Sequence, residues 1–427
     1  MAQERAENFK ATAPVDTSQC QRSPEYETVI EVFTRNLYDP SKLGDVQALK
    51  SKHNCDIKNP TDAIKFANQE MGAIDPYSVL RTSAETEAFQ LRIKGERLEI
   101  GASFYRPKTN DANFDKDPIN VVNVIEGGPA QKAGLKDGDQ LIAVDHKPID
   151  AEQIGDALAP IYAAVDSPAR LTVKRDGRTF DLDITSALVH VSSVTEKTLN
   201  DGIAYVRLNS FLSTSGPAEL MGALNKHKSA KAVVLDLRDN PGGIVFNAVL
   251  ATSLFMDHGV VSQARDRLDS SPKEPAFAQR TLFLTKDSSA YTINGDTTKY
   301  DRLPDVVDIP VAILVNEHSA SASELFAGAM RDNGEAKLVG TQTFGKGVGQ
   351  SYIPIPSLDG SLVVTSFEDT TPNGDWAGDG SKNRIGLKPD IEVKLPKGAR
   401  YGSPEDTQLN AAVLYLKTQI AAGRKAR

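Results

Sequence analysis

A serine at the junction of a strand and a helix is the first candidate for chemistry in this chain. The apolar, β-branched run at residues 311–315 predicts a buried strand, and residues 324–330 have the composition of a helix. Three serines separated by alanines lie between them, with Ser321 in the middle. Such a junction exposes side chains at a sheet edge and directs unpaired helix N–H groups toward them. It therefore favours negative charge on a reacting oxygen.

A lysine between two glycines, Lys346, strengthens this hypothesis. Ser321 alone indicates little, because serines cap helices far more often than they attack carbonyl groups. An amine acts as a general base only when it is neutral, so the lysine would need apolar surroundings that lower its pKa. Phe344 and the flanking glycines would permit that burial. A serine nucleophile with a lysine base is therefore a candidate pair.

A Pro-Gly-Gly turn supplies a third candidate element. Gly242 and Gly243 follow an apolar run at residues 231–237, which predicts a buried strand, and they precede a predicted helix. The turn needs backbone conformations that only glycine adopts cheaply, and its free N–H groups can face a nearby oxygen. Strand-to-helix loops are common, so this turn gains weight only beside the serine and the lysine.

Several other classes of function lack support. The six histidines form no arrangement typical of a Ser-His-Asp triad, and His318 is better interpreted as a turn residue. Neither a metal-ligand spacing nor a phosphate-binding glycine loop is present, so no metal or cofactor is expected. The net charge of −8 has interspersed signs, which argues against nucleic acid as a partner. No stretch approaches the roughly 20 apolar residues that span a bilayer, and the first residues lack the apolar core of a signal peptide.

The elements that must position these residues suggest four regions. Residues 1–85 are predicted as an N-terminal helical segment that acts as a scaffold or a cap, with a helix starting at Pro60. Residues 86–187 change to short strands and turns, residues 188–400 alternate strands and helices, and residues 401–427 contain a terminal helix. A strand, a helix and a strand over residues 202–237 predict a parallel βαβ unit. Residues 258–308 are predicted as a polar connection with one strand-like segment at 280–284.

The stretch from Gly127 to Asp145 resembles a PDZ domain of the bacterial protease type. It has the order G-P-A-x-x-A-G-L-x-x-G-D-x-L-I-x-V, followed by a hairpin turn at residues 174–178. The resemblance implies capture of a peptide C-terminus, with the peptide added as a strand to a sheet edge. A predicted strand at 98–104 would supply the carboxylate-binding residues Ile100, Gly101, Ala102, Ser103 and Phe104. A helix at 154–165 would line the groove, although a PDZ-shaped spacer without a ligand is an open alternative.

Three further motifs resemble the carboxyl-terminal processing peptidases, or tail-specific proteases, a serine peptidase family with a Ser-Lys dyad. They are LDLRDNPGG, VNEHSASASE and GTQTFGKGVGQ, in this order, and the closing GLKPDIEV agrees with them. The likeness covers most of residues 75–420. It implies a multidomain α/β protein, in which a crotonase-like tail-specific protease core carries an inserted PDZ domain and an N-terminal helical segment.

The resemblance also implies a role for each matching residue. Ser321 is the nucleophile, Lys346 is its general base, and Gln350 orients the lysine. The N–H groups of Ala322 and Gly243 form the oxyanion hole. The implied reaction is endopeptidase cleavage of protein substrates near their C-termini, with the PDZ domain recognising the substrate or gating the site.

The implied partners are protein or peptide substrates bound by their C-terminus, with an oligomer or an adaptor protein as further possibilities. Family members work outside the cytoplasm, so a periplasmic, luminal or secreted location is expected, with a signal peptide already removed. The alternative is a catalytically silent ligand-binding or adaptor protein on the same fold. The presence of Ser321, Lys346 and Gln350 at the family positions favours the enzyme.

Cys20 and Cys55 generate a testable expectation, because both lie in the N-terminal segment. One disulfide between them would suit an oxidising compartment, and two free thiols are the alternative. A thiol titration of the unreduced native protein separates the two. The disulfide predicts no reactive thiol before reduction, whereas two reactive thiols would exclude it.

Overall fold

The computed structural model describes residues 22–105, 119–122, 124–149, 166–304 and 307–423. These residues form two compact units. The larger unit takes the described residues up to Glu87, Val194–Phe211 and those from Pro217 onward, and the smaller takes Ala88–Ser193 with Leu212–Gly216. None of the described helices combines the length and the apolar composition that a membrane span requires.

Helices and strands alternate along the described chain. The described helices are α1 (Pro24–Asn36), α2 (Val46–Ser51), α3 (Pro60–Ile74), α4 (Ser83–Ile93), α5 (Pro129–Lys132), α6 (Gly216–Lys226), α7 (Val245–Thr252), α8 (Ala322–Asp332) and α9 (Thr407–Ala421). The described strands are β1 (Val79–Thr82), β2 (Glu96–Glu99), β3 (Ser103–Tyr105), β4 (Ile119–Val122), β5 (Gln140–Val144), β6 (Lys147–Pro148), β7 (Pro168–Arg175), β8 (Arg178–Thr185), β9 (Ala187–His190), β10 (Val194–Thr198), β11 (Ile203–Leu208), β12 (Ala232–Asp236), β13 (Gly259–Arg267), β14 (Phe277–Thr285), β15 (Ser288–Ile293), β16 (Asp296–Tyr300), β17 (Val311–Val315), β18 (Ala336–Gly340), β19 (Val348–Ile355), β20 (Gly360–Thr370) and β21 (Ile391–Glu392).

A largely parallel sheet forms the centre of the larger unit. Its order is β10-β11-β12-β17-β18-β21, and only β10 is antiparallel to its neighbour. Alternate residues of β17 enter two different cores: Ile313 packs on the side of α8, and Leu314 packs with Leu416 of α9. Because both faces are covered, β12 and β17 are apolar without alternation. The predicted buried strands and the parallel βαβ unit are confirmed.

A second, antiparallel sheet has the order β1-β20-β13-β14-β15-β16, and β19 also pairs with β20. Strands β19 and β20 pair with each other as an antiparallel hairpin. Helices α1 and α3 pack against this sheet through buried residues such as Phe33, Met71 and Leu362. The predicted helix start at Pro60 is also confirmed, since Asn59 caps α3 by accepting from the N–H of Asp62.

The interpretation of residues 258–308 as a polar connection is wrong, although its one predicted strand-like segment, residues 280–284, is confirmed within β14. This stretch forms the strands β13, β14, β15 and β16, which pair successively in the antiparallel sheet. Residues such as Leu284 and Ala290 are buried, whereas the side chains of residues 296–299 are exposed. An antiparallel sheet can leave one face in water, so polar residues dominate here and hide the alternation.

The smaller unit is built of short antiparallel strands, as its sequence predicts. Its main sheet has the order β3-β4-β5-β7-β8, and β6 pairs with β5. The short helix α5 is followed by Gly134 at φ +92°. A tight turn with Asp176 and Gly177 at positive φ joins β7 to β8, which confirms the predicted hairpin. Residues 154–165, predicted as a groove helix, lie outside the described residues.

The prediction of one continuous strand over residues 98–104 is wrong. Strand β2 ends at Glu99 and pairs with β9 in a separate two-stranded sheet, and β3 begins at Ser103. Gly101 lies between them at φ +78°, a conformation that interrupts the pleat. The carbonyl groups of Ile100 and Gly101 accept from the N–H groups of Ala130 and Ile125 instead of from a strand.

A buried ionic cluster joins the end of β12 to the start of α9 in the larger unit. The Arg238 guanidinium is fully buried and donates hydrogen bonds to Asp236 and Asp406. Burial is the largest single influence and raises the pKa of Asp406, but the hydrogen bonds from Arg238, those from the N–H groups of Gly402 and Leu409, and the charge of Arg238 together outweigh it and keep that pKa below its ordinary value. The cluster therefore holds the terminal helix against the central sheet.

Replacing Asp406 should destabilise the larger unit. Asp406→Asn removes one of the two carboxylates that face the buried Arg238 cation, and breaking a buried ion pair costs about 3–5 kcal/mol. Urea unfolding followed by circular dichroism measures the loss. Glu405→Gln changes the exposed neighbouring carboxylate and is expected to leave the midpoint unchanged. Equal midpoints for the two variants would contradict the assignment.

Candidate active site

Ser321 occupies a sharp turn between β17 and α8. Its backbone has φ 57° and ψ −120°, a conformation that residues other than glycine seldom adopt and that recurs where strands turn into helices at functional sites. Its N–H donates to Glu324 Oε2 at 2.9 Å, and its carbonyl accepts from the Glu324 N–H at 2.7 Å. These two bonds hold the turn in its strained conformation.

The loop after β12 packs directly against the serine turn. The carbonyl of Asn240 accepts from the N–H of Ala320 and from the hydroxyl of Ser323, both at 3.0 Å. A side chain at Gly242 would place its Cβ only 2.5 Å from the Ala320 carbonyl oxygen and 2.8 Å from the Ala322 nitrogen. Because β12 and β17 are adjacent parallel strands, their carboxyl ends bring the two loops together.

Two backbone N–H groups at this junction have no acceptor among the described residues. One belongs to Gly243. Its two neighbours make the hydrogen bonds to Phe211 instead: the Gly242 carbonyl accepts from the Phe211 N–H, and the Ile244 N–H donates to the Phe211 carbonyl. The other belongs to Ala322, the first residue of α8, whose N–H cannot bond within the helix. The positive end of the α8 dipole lies at the same place. The two groups that the sequence singles out are therefore available to a negatively charged oxygen.

Lys346 lies between β18 and β19 and is partly buried. Its Nζ donates to Gln350 Oε1 at 3.1 Å and lies 4.2 Å from the centre of the Tyr77 ring. Burial lowers its pKa from the ordinary value, and the nearby carboxylates of Asp75 and Glu324 oppose that effect. Its pKa is therefore displaced in the direction that a lysine base requires.

Ser321 and Lys346 line the same cavity. No hydrogen bond joins the Ser321 hydroxyl to Lys346 Nζ within the described chain, although both residues line this space. Apolar residues such as Val245, Leu325 and Val348 line part of the cavity, and the carboxylate residues Glu324, Asp369 and Asp375 line it as well. The burial of Lys346 in this space is the physical origin of its lowered pKa.

Comparison with known proteins decides the family. The profile of peptidase family S41 matches residues 202–393, and a PDZ domain profile matches residues 121–175. A CtpA-like serine protease of Staphylococcus aureus (strain COL) is 31% identical over 371 residues, which cover 85% of this chain and 67% of that protein. The chain belongs to peptidase family S41.

The S41 assignment agrees with further relatives. A CtpA-like serine protease of Staphylococcus epidermidis is 32% identical over 328 residues, covering 76% of this chain and 58% of that one. The fold is shared with the solved structure named "Putative S41 protease from Bacteroides fragilis", which aligns with a TM-score of 0.55 at 16% identity over 92% of this chain and 97% of that chain. The protein is thus a serine protease with a PDZ domain, which confirms the resemblance and the fold class predicted from the motifs.

Glu324 is a residue of this S41 peptidase whose importance the sequence analysis missed. Its buried carboxylate accepts from the N–H of Ser321 at 2.9 Å, from the N–H groups of Gly345 and Lys346 at 2.8 Å, and from the Thr343 hydroxyl at 2.5 Å. Burial raises its pKa, although all four bonds act against that rise. The spacing S-x-x-E, typical of a capping box, was the available signal.

The predicted peptide-binding residues of the PDZ domain lie together between β2 and the start of β3. Ile100 is fully buried, Ala102 is buried, and Ser103 is exposed. Ser103 and Phe104 lie on β3, which is an edge strand of the described sheet. An edge strand can accept an added peptide strand. Their role in binding stays a prediction.

Replacing Glu324 should impair proteolysis more than folding. Glu324→Gln retains the shape but presents an NH₂ group to N–H donors, and each orphaned buried donor costs about 1–3 kcal/mol. The serine and lysine loops lose their common anchor, so kcat for cleavage of a fluorescently labelled unfolded protein should fall by roughly 10- to 100-fold. Glu274→Gln, at an exposed loop glutamate, is the matched control. Unchanged kcat in Glu324→Gln would contradict the anchoring role.

Proposed function

We propose that this S41 serine protease is an endopeptidase in which Ser321 is the nucleophile and Lys346 is the general base. The observation that carries the proposal is that Lys346, whose pKa is lowered by burial, lines the same cavity as Ser321, which lies on a strained strand-to-helix turn. Strain of this kind concentrates at functional sites, and perturbed pKa values do so as well.

Neutral Lys346 takes the proton of Ser321 as the serine oxygen attacks a peptide carbonyl carbon. Gln350 accepts one hydrogen bond from Nζ and holds the amine in place. The lysine, now an ammonium, returns the proton to the leaving amine, and an acyl-enzyme remains. Water then attacks the acyl-enzyme with the lysine again as the base, and the serine is regenerated.

The N–H groups of Gly243 and Ala322 form the oxyanion hole of the proposed mechanism. Their lack of acceptors among the described residues and their position beside the start of α8 support this role. Preorganised donors of this kind are typically worth about 3 kcal/mol each in acyl transfer. The close packing of Gly242 against the serine turn fixes the position of the Gly243 loop relative to Ser321.

The proposed substrates are proteins whose C-termini the PDZ domain recognises. The PDZ match and the edge position of β3 support a mode in which the peptide adds as a strand and its carboxylate meets residues 100–104. Domain limits of 86–187 for the PDZ domain, 188–400 for the peptidase core and 401–427 for the terminal helix are part of this proposal. Cleavage near the C-terminus follows from recognition at that end.

The proposed location is outside the cytoplasm, in a periplasmic, luminal or secreted setting. Cys55 is disulfide-bonded, and Cys20, the other cysteine of the sequence, lies outside the described residues. Disulfides persist mainly in oxidising compartments, which supports this placement.

Substitution of the dyad tests the proposed mechanism. Ser321→Ala removes the nucleophile, and Lys346→Arg replaces the base with a cation that stays protonated, so both should reduce cleavage by at least about 10⁴-fold. In the wild type, kcat/KM should rise with pH as Lys346 loses its proton. Mass spectrometry of products from an unfolded protein, together with labelling by a serine-reactive fluorophosphonate, provides the readout.

The controls separate the alternatives. Circular dichroism should be unchanged in both variants, and Ser323→Ala should still label, because the neighbouring serine is the nucleophile. Cleavage by Ser321→Ala would overturn the assignment of the nucleophile. A wild type that binds the substrate without cleaving it or reacting with the probe would instead indicate the adaptor alternative.

A further inference from the structure

The segment from Asp75 to Ser78 places residues of the N-terminal region next to the lysine. It follows α3 and leads into β1, and the side chains of Asp75 and Ser78 are each only 4% exposed. Its Asp-Pro step indicates only a turn at the level of sequence. The segment nevertheless lies outside residues 202–393, which match the peptidase family profile, and its side chains reach the lysine of the proposed dyad.

A chain of hydrogen bonds connects Asp75 to Lys346. The Thr365 hydroxyl donates to Asp75 Oδ2 at 2.8 Å and accepts from Gln350 Nε2 at 3.2 Å. Gln350 Oε1 accepts from Lys346 Nζ at 3.1 Å. Ser78 also donates from its hydroxyl to Asp75 Oδ2 and accepts from the Thr365 N–H at 3.2 Å. The carboxylate therefore anchors both the side chain and the backbone of Thr365.

The direction of these bonds determines how the Gln350 amide faces the lysine. An ionised carboxylate only accepts, so the single hydroxyl proton of Thr365 is committed to Asp75. The Thr365 oxygen is then an acceptor for the amide NH₂ of Gln350. The amide oxygen must consequently face Lys346, where it accepts from Nζ. Without the carboxylate, the threonine proton could turn to Gln350, and a flipped amide would present a donor to the lysine.

Tyr77 contacts the lysine from the same segment. Its hydroxyl donates to the carbonyl of Gly380 at 2.6 Å, which fixes the ring 4.2 Å from Lys346 Nζ. An aromatic face stabilises a cation more than a neutral amine. The segment thus contacts Lys346 through the Tyr77 ring and is also connected to it by the relay of hydrogen bonds that runs from Asp75 through Thr365 and Gln350.

Other charged or titratable side chains also lie near Lys346, and the pH dependence of the lysine must be considered together with them. Glu324 on α8 is the second carboxylate that opposes the effect of burial. The remaining groups near Lys346 and Tyr77 are Asp369 on β20 and, in the loop that follows it, Asp375, Asp379 and Arg384. Asp75 differs from these groups because its carboxylate is connected to Lys346 Nζ by hydrogen bonds through Thr365 and the Gln350 amide.

We propose that Asp75 is a positioning residue of the general base, which it orients through Thr365 and Gln350. The proposal rests on the proposed function of Lys346 as that base. Because Asp75 also carries a negative charge near the amine, it has two separable effects. One is the orientation of the amide, and the other is electrostatic support of the protonated lysine.

Variants at positions 75 and 365 separate the two effects. Thr365→Val breaks the relay but keeps the charge, so kcat should fall by roughly 10- to 100-fold, with the acidic limb of the kcat/KM profile unmoved. Thr365→Ser restores a hydroxyl and should recover most of the activity. Asp75→Asn retains an oxygen acceptor but removes the charge. Loss of this negative charge disfavours the ammonium form of Lys346. The acidic limb of the kcat/KM profile of Asp75→Asn should therefore move to lower pH.

Further variants distinguish failure of this proposal from failure of the dyad. Asp75→Ala removes both effects and should combine the lower kcat with the shifted limb. Asp287→Asn, at an exposed aspartate of the antiparallel sheet, is the matched charge control. Lys346→Arg, measured in parallel, should be inactive. Thermal unfolding checks that every variant is folded, and the comparison of Thr365→Val with Thr365→Ser decides the relay if a variant at position 75 does not fold.

The positioning role would be overturned if Thr365→Val kept kcat within about twofold of the wild type and Asp75→Asn kept its acidic limb, while Lys346→Arg was inactive. Activity in Lys346→Arg would instead overturn the dyad itself. A fall in kcat that Thr365→Ser does not recover would indicate a packing effect and would likewise exclude the relay.

Discussion

The buried carboxylate of Glu324 is the interaction on which the arrangement of the site depends. It accepts hydrogen bonds from the serine turn and from the lysine loop at the same time, so two loops that follow different strands share one anchor. A carboxylate out of water costs free energy unless its oxygens are satisfied, and four donors satisfy this one. The strained backbone of Ser321 persists because the N–H at that turn is one of the four.

The lysine depends on a balance between burial and charge. Burial disfavours the ammonium form of Lys346, whereas the carboxylates of Asp75 and Glu324 favour that form. Burial has the larger effect, so the pKa of Lys346 is lowered. This balance leaves an amine that can be neutral and yet remain fixed by the amide of Gln350. The residues responsible come from α8, from β19 and from the segment before β1, so the chemistry of one side chain relies on distant parts of the chain.

Sequence reasoning located the candidate nucleophile, base and oxyanion donors because short motifs carry them. It missed Glu324, which joins the serine turn to a loop up to 22 positions away, and Asp75, whose partner Thr365 lies 290 positions away in sequence. It also missed strands β13 to β16, because a half-exposed antiparallel sheet contains many polar residues. The break at Gly101 was hidden for a related reason, since an apolar alternating pattern does not disclose a positive φ.

The sequence by itself determined the family, the parallel core and the identity of the residues at the strand-to-helix junction. Local patterns suffice for these features, because hydrophobic period and glycine placement act over a few neighbouring residues. Only the tertiary structure decided which carboxylates surround the lysine, which way the Gln350 amide faces and which N–H groups lack acceptors. Each of these depends on hydrogen bonds between segments that are remote in sequence, and burial and bond direction exist only once those segments have packed together.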